Sequence, residues 1–143
     1  MEVKTAVSIP IERDGESVGA LRFDPSDVLF MERIYDLMDR FEALNADYTR
    51  RAQALEAEDG PSVGGVPPGA RARLALLREL CEAMYGALDG VFGAGTSAMV
   101  FGDCLSPDAV AEFLAQLTPK VDEVREERMK RYVGRKGRKV LRK

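Results

Sequence analysis

A single apolar stripe at helical spacing runs through about 25 residues of this chain, and it constrains the fold more than any other feature. Asp24 and Pro25 precede it with the chemistry of a helix start, because an aspartate can cap the first turn and a proline fits its first position. We therefore predict one long helix over residues 25–57. Its apolar face consists of Phe30, Ile34, Leu37, Met38, Phe41, Leu44, Tyr48, Ala52 and Leu55. A long helix with one such face usually packs against another helix or a second copy of itself.

The residues before this helix alternate between apolar and polar with the period of a β-strand. One face of the first strand carries Val3, Thr5, Val7, Ile9 and Ile11. The dipeptide Asp14-Gly15 is typical of a two-residue hairpin turn, and Leu21 and Phe23 share one face of the return strand. We predict a hairpin over residues 2–23 and expect it to pack on helices, because an isolated hairpin is marginally stable in water.

Residues 59–69 separate the long helix from the second half of the chain. Four glycines and three prolines make this segment unfit for helix or sheet, so we predict a linker. Beyond it, the periodicity predicts helices over residues 70–89 and 107–132, the second of which either bends or restarts at Pro119. The expected buried faces are Leu74, Leu76, Leu77, Leu80, Cys81, Met84, Tyr85 and Leu88, then Val110, Phe113, Leu114 and Leu117. We predict one α+β domain over residues 1–133, mostly α, with an N-terminal β-hairpin packed on a bundle of three or four helices.

The stretch from Gly90 to Gly102 is rich in glycine and could suggest a phosphate-binding loop. It matches neither G-x-x-x-x-G-K-[ST] nor G-x-G-x-x-G after a strand, and it contains no lysine. We therefore predict a packed loop or a short turn of helix between the two helical segments.

The composition gives no sign of catalytic chemistry. The chain has no histidine, which excludes Ser-His-Asp and Cys-His nucleophile systems, histidine zinc sites and the commonest general base. Its two cysteines, Cys81 and Cys104, are far apart and form no C-x-x-C pair, so we interpret them as small apolar side chains. Neighbouring carboxylates such as Asp122 and Glu123 fall on polar helix faces rather than in a desolvated cleft. We predict that the protein is not an enzyme and requires no cofactor or metal.

The net charge of −3 conceals a strong asymmetry along the chain. Eight basic residues and no acidic residue lie from Lys130 to the end, so the first 129 residues hold 13 basic and 24 acidic side chains, a net charge of −11. We predict that residues 134–143 form a disordered basic tail. Such a cluster can bind nucleic acid, but the acidic body repels phosphate and Tyr132 is the only aromatic residue near it, so we do not expect nucleic acid as the main partner.

The chain shows no signal for a membrane. No apolar run approaches the roughly 20 residues that a membrane-spanning helix requires. Residues 1–10 mix charged and apolar side chains, unlike the apolar region of a signal peptide. We expect a cytoplasmic protein without a membrane partner.

Two stretches of the sequence resemble a class of viral proteins. Residues 21–35 read LRFDPSDVLFMERIY, and residues 91–97 read VFGAGTS with VFGD following at residues 100–103. Together they resemble the small tail assembly chaperone-like proteins that long-tailed bacteriophages and prophages encode just upstream of the tape-measure protein. The resemblance extends over most of the chain except the linker.

The resemblance implies a non-enzymatic chaperone that coats apolar helices of the tape-measure protein and helps to recruit tail tube protein; it carries over no catalytic residue. The chain's own pattern allows this, because the hairpin and the shorter helices leave apolar surface where a client helix or a second copy could dock. We expect this surface at Phe41, Leu44, Tyr48 and Leu55, and we expect a homo-oligomer. Two alternatives stay open: a structural component of the phage tail or head-tail connector, and a small nucleic-acid-binding regulator that uses the basic tail.

Overall fold

The computed structural model describes residues 1–56 and 64–141, with side chains described as far as residue 130. Within these residues the chain forms a hairpin followed by four helices: β1 (Val7–Arg13), β2 (Glu16–Phe23), α1 (Val28–Glu56), α2 (Ala70–Phe92), α3 (Thr96–Phe101) and α4 (Pro107–Leu141). This order confirms the predicted α+β class, mostly α, with an N-terminal hairpin. Residues 59–63 of the predicted linker lie outside the described residues, and residues 64–69 contain turns but no helix.

The two strands pair in an antiparallel sheet around the predicted turn. Asp14 has φ 52° and Gly15 has φ 82°, so both central residues adopt the left-handed conformation that a tight hairpin turn of this kind requires. The register pairs Arg13 with Glu16 at the turn and Val7 with Phe23 at the other end.

The first strand is shorter than the sequence predicted, because it begins at Val7 rather than at Glu2. Its partner strand ends at Phe23, where the chain turns into α1, so the residues before Val7 have no strand to pair with. Val3, predicted on the buried face, is instead 81% exposed. The alternation of apolar and polar residues therefore predicts where a strand can form. The length of the partner strand determines how many of those residues are paired.

Helix α1 begins at Val28, three residues after the predicted start. Asp27, rather than Asp24, caps it: the Asp27 carboxylate accepts a hydrogen bond from the Leu29 amide at 3.0 Å, and the Asp27 carbonyl accepts from the Met31 amide. The Asp24 carboxylate accepts from the Ser26 amide and hydroxyl, so Asp24 and Pro25 form the turn between β2 and the helix.

The core consists of two apolar clusters that meet beneath the hairpin. One contains Leu37, Phe41, Leu80, Met84, Leu88, Val100, Phe101 and Val110. The other contains Leu21, Phe23, Phe30, Met31, Ile34, Leu117 and Val121. Ile11, Phe92, Met99 and Phe113 pack against both clusters, so the core is continuous. Helix α2 lies against α1, but Leu74, predicted on its buried face, is 65% exposed, because the buried part of the helix begins after it, at Leu76.

Helix α4 is one continuous helix that contains Pro119 and extends to Leu141. The backbone of residues 134–141 of the predicted basic tail continues α4, and residues 142–143 lie outside the described residues. The segment extends a helix that already exists, so it bears no nucleation cost, and lysine and arginine are good helix formers.

Candidate functional site

Three of the four predicted partner-binding residues, Phe41, Leu44 and Tyr48, lie along the contact between α1 and α2 rather than on an open face. Phe41 is 6% exposed and belongs to the core. Leu44 and Tyr48 are half-buried and pack against the same cluster, and Leu55 is half-buried at the next-to-last residue of α1. The structure thus covers most of this strip with α2 and leaves little of it available to a partner.

An ion pair closes the far end of this strip. The Arg51 guanidinium donates two hydrogen bonds to the Glu79 carboxylate, at 2.9 and 3.0 Å, across a small crevice of about 50 Å³ that Leu44 and Tyr48 also line. The hydrogen bonds from Arg51 lower the pKa of Glu79, and they raise the pKa of Arg51 in turn. Both side chains are exposed, so solvent screens their attraction and the pair adds little to the stability of the fold. Its main effect is to hold α1 and α2 in place relative to each other.

A larger open groove lies elsewhere, between the hairpin and α4. It has a volume of about 530 Å³. Its apolar surface is contributed by Ile9, Ile11, Leu21, Val100, Phe101, Phe113 and Leu117, and its polar rim by Glu12, Arg13, Asp14, Glu112, Gln116 and Lys120. An apolar floor with a charged rim is the usual composition of a site that binds an amphipathic segment. We call this surface the hairpin groove.

The hairpin groove has two distinguishable ends. Toward the turn, the Arg13 guanidinium lies against Gly102, just before α4 begins, whereas Ile9 packs against the cluster that contains Leu117. Farther along, the Arg128 guanidinium donates to the carbonyl of Thr5. The hairpin turn therefore lies near the start of α4, and β1 runs antiparallel to the helix along the groove. As a result, Glu12, Asp14 and Glu112 share one end, while Lys120 lies at the other.

The glycine-rich stretch builds the floor of the groove. Gly95, at φ 88°, reverses the chain so that α3 can begin at Thr96. The Asp89 carboxylate then caps α3, because it accepts hydrogen bonds from the Ser97 amide at 2.7 Å and the Ser97 hydroxyl at 2.9 Å. A carboxylate of the chain itself thus satisfies donors in the first turn of α3, and the stretch is a packed turn with a short helix, as predicted. The apolar side chains Val100 and Phe101 of α3 face the groove.

Arginine and glycine contacts hold the hairpin against α3. The Arg13 guanidinium donates to the carbonyl of Met99 at 2.7 Å and lies against Gly102, where an added Cβ would come within 3.0 Å of it. On the other strand, Gly19 lies directly beneath the Met99 side chain. These contacts fix the position of one groove wall relative to the floor.

Tyr85 fixes the loop from which α4 starts. Its hydroxyl donates to the carbonyl of Cys104 at 2.6 Å and accepts from the Ser106 amide at 3.3 Å, and its ring stacks on Phe101 with a centroid distance of 4.6 Å. Burial raises the pKa of the Tyr85 hydroxyl. The Ser106 hydroxyl then accepts from the Ala109 amide at 3.2 Å and caps α4, as its position before Pro107 indicated.

A second anchor holds α4 near the start of α1. Arg128 reaches the Asp24 carboxylate at 3.5 Å. Partial burial opposes ionisation of Asp24, but the hydrogen bonds from Ser26 and Thr5 and the charge of Arg128 outweigh it, so the pKa of Asp24 lies below its ordinary value. One turn earlier, Arg125 donates to the Tyr35 hydroxyl at 2.7 Å. Together with Tyr85, these contacts hold α4 at both ends of the groove.

The described part of the chain offers few groups for chemistry. Among the described residues, no three histidine, cysteine, aspartate or glutamate side chains come close enough together to hold a metal ion. Cys81 is buried, and burial raises the pKa of its thiol, which disfavours the nucleophilic thiolate. Cys104 is exposed in the loop before α4. No helix among the described residues is long and apolar enough to cross a membrane.

Sequence reasoning assigned the groove residues to other roles. Ile9, Leu21, Phe113 and Leu117 were predicted as buried faces of separate elements, and nothing in the sequence indicated that those faces meet at an open groove. The polar residues of the rim, however, could have been found from the sequence. Glu112, Gln116 and Lys120 are spaced by four along α4, and this spacing places them along one side of the helix.

Comparison with known proteins gives a family but no individual relative. No curated protein and no solved structure matches the chain. One family model matches residues 19–143, from the middle of β2 to the last residue. Because the match includes most of the chain, the protein belongs to that family, DUF6673, a family of unknown function.

Proposed function

We propose that the protein is a non-enzymatic assembly chaperone that holds an apolar helical segment of a phage tape-measure protein in the host cytoplasm, with the tail tube protein as a further partner. The hairpin groove carries this proposal. It is an open surface with an apolar floor, and its lining includes neither a histidine nor a cysteine. Such a surface suits binding by burial of apolar area rather than a chemical step. The resemblance of residues 21–35 and 91–103 to tail assembly chaperones supports the choice of client.

The dimensions of the groove fit a short stretch of helix. Along α4 the lining extends from Ala109 to Lys120, which is about 17 Å at 1.5 Å per residue. That length corresponds to roughly three turns of a client helix, enough for apolar residues at positions i, i+4 and i+7 to enter the floor. The polar residues of an amphipathic client would then face the rim.

The proposal is tested by filling the groove without disturbing the core. Gln116 is exposed and lines the groove, so Gln116→Trp should block the floor at little cost to the fold. Gln53 is an exposed glutamine of α1 outside the groove, which makes Gln53→Trp a matched control. Each variant is co-expressed with fragments of the tape-measure protein encoded in its own gene neighbourhood, and the soluble client that co-purifies is measured.

We expect the wild type and Gln53→Trp to keep a tape-measure fragment soluble and Gln116→Trp to lose most of that yield. Melting curves of the three proteins check that each is folded. If the wild type solubilises no fragment, the chaperone function is wrong. If Gln116→Trp retains full yield while folded, the client binds a surface other than the hairpin groove.

A further inference from the structure

We propose that the hairpin groove also receives the basic C-terminal segment of a second copy of this chain, so that the protein associates with itself through a contact between unlike surfaces. The segment begins at Lys130 and is defined here as residues 130–143. The inference concerns the protein alone and requires no client, so it stands or fails independently of the chaperone function.

Charge at one end of the groove supports this occupant. Glu12, Asp14 and Glu112 are exposed and lie together where the hairpin turn approaches the start of α4. Arg13 also lines the groove at this end, where its guanidinium donates to the carbonyl of Met99, and the three carboxylates outnumber this single cation. At the opposite end, Lys120 is balanced by Glu123 at 3.9 Å. The groove therefore presents an apolar floor with excess negative charge at one end.

The C-terminal segment has the complementary chemistry. It holds eight basic residues and no acidic one, and it also includes the apolar residues Tyr132, Val133, Val140 and Leu141. Its backbone is helical as far as Leu141. A basic helical segment with some apolar side chains matches both the floor and the acidic end of the groove.

The segment cannot enter the groove of its own chain. Residues 109–120 of α4 form one wall of that groove, and the segment is a continuation of the same uninterrupted helix. Lys130 lies about 15 Å beyond Lys120 along the helix axis, at 1.5 Å per residue. A continuous helix cannot turn back upon its own side, so only a second copy can supply the segment. The contact then joins the groove of one copy to the C-terminal segment of another.

Two complementary variants test this contact. A chain that ends at Met129 keeps the groove and lacks the segment, and it should fold because the last buried side chain described in α4 is that of Val121. The double variant Glu12→Lys with Glu112→Lys keeps the segment and reverses two exposed charges of the groove. The matched control, Glu32→Lys with Glu42→Lys, makes the same change in net charge on exposed acids of α1 outside the groove.

Sedimentation velocity of nuclease-treated protein measures the association at low and at high salt. We expect the wild type and the α1 control to associate, and each test variant to weaken its own association by roughly tenfold or more, since rim charges act most strongly at low ionic strength. Mixed together, the two test variants should associate again, because one supplies the intact groove and the other the intact segment. Added salt should weaken this mixed complex.

Four results would overturn the proposal. A wild type that remains monomeric at low salt removes the association itself. Equal weakening by the α1 control shows that net charge, rather than the groove, is responsible. Failure of the two test variants to associate on mixing shows that the two surfaces do not meet. Association that disappears on nuclease treatment shows that the basic segment binds nucleic acid rather than the groove.

Discussion

Replacement of Gly19 by alanine should destabilise the protein for two reasons that can be separated. Gly19 lies in β2 at φ 150°, a conformation that residues with a side chain rarely adopt, and an added Cβ would come 2.3 Å from the sulfur of Met99. Backbone strain of this kind costs about 1–3 kcal/mol. Close contact with a neighbour that must move adds about 1 kcal/mol or more, although the flexible methionine can relieve part of it.

The sum is a loss of about 2–4 kcal/mol in the free energy of unfolding, and for a chain of this size that lowers the melting temperature by roughly 5–15 °C. A double-mutant cycle with Met99→Ala separates the two parts, because shortening Met99 removes the close contact and leaves the strain. We expect Gly19→Ala to cost less in the Met99→Ala background than in the wild type, by roughly 1 kcal/mol, and still to be unfavourable.

Gly86 provides the matched control. It lies in α2, is exposed, and an added Cβ there would meet nothing within 4 Å. Gly86→Ala should therefore stabilise the protein by roughly 0.5–1 kcal/mol, because alanine is the better helix former. Urea unfolding monitored by circular dichroism measures all four variants. A Gly19→Ala protein as stable as the wild type would refute the argument that the hairpin is held so closely against α3.

Three further changes have definite expected outcomes. Ile9→Asp should lower the free energy of unfolding by about 2–4 kcal/mol, since Ile9 packs against the second core cluster; an unchanged thermal melt would mean that β1 contributes nothing to the core. Deletion of residues 134–143 should shift the melting temperature of the monomer, measured at high salt, by no more than about 2 °C, since those residues hold little apolar area. Because the pKa of Asp24 is lowered in the folded state, its ionised form stabilises the fold above the ordinary pKa of about 4, and this contribution is lost as the pH falls through the lower folded value. Asp24→Asn should therefore flatten the dependence of the urea midpoint on pH between about pH 2 and 5, and an unchanged slope would assign that dependence to other carboxylates.

Local patterns were sufficient for features that depend on neighbouring residues. The turn at Asp14 and Gly15 and the buried face of α1 from Phe30 to Phe41 both follow from conformational preference and helical spacing, and both are present in the structure. The errors arose where an element depends on a distant one. Val3 has no strand opposite it, and Leu74 precedes the first side chain of α2 that is buried in the core.

The predicted partner surface shows the same limit. Helical spacing placed Leu44, Tyr48 and Leu55 correctly on the apolar side of α1, but it could not show how much of that side α2 covers. The pairing of Arg51 with Glu79 joins residues on different helices with the linker between them, and no local pattern predicts it. An apolar surface that remains open lies between the hairpin and α4, in the hairpin groove.

The two stretches that resemble tail assembly chaperones act mainly as supports of the groove. The first supplies Leu21 to the floor, and Phe23 and Phe30 of the same stretch stack at 5.2 Å beneath the hairpin. The second forms the capped turn that carries Phe101. The rim residues, such as Glu112, lie outside both stretches. The resembling residues support the groove, so the resemblance is evidence that a groove is present. Which partner occupies the groove depends on the rim charges, and the rim residues are not part of the resemblance. For this reason the client test and the self-association test use substitutions on the rim.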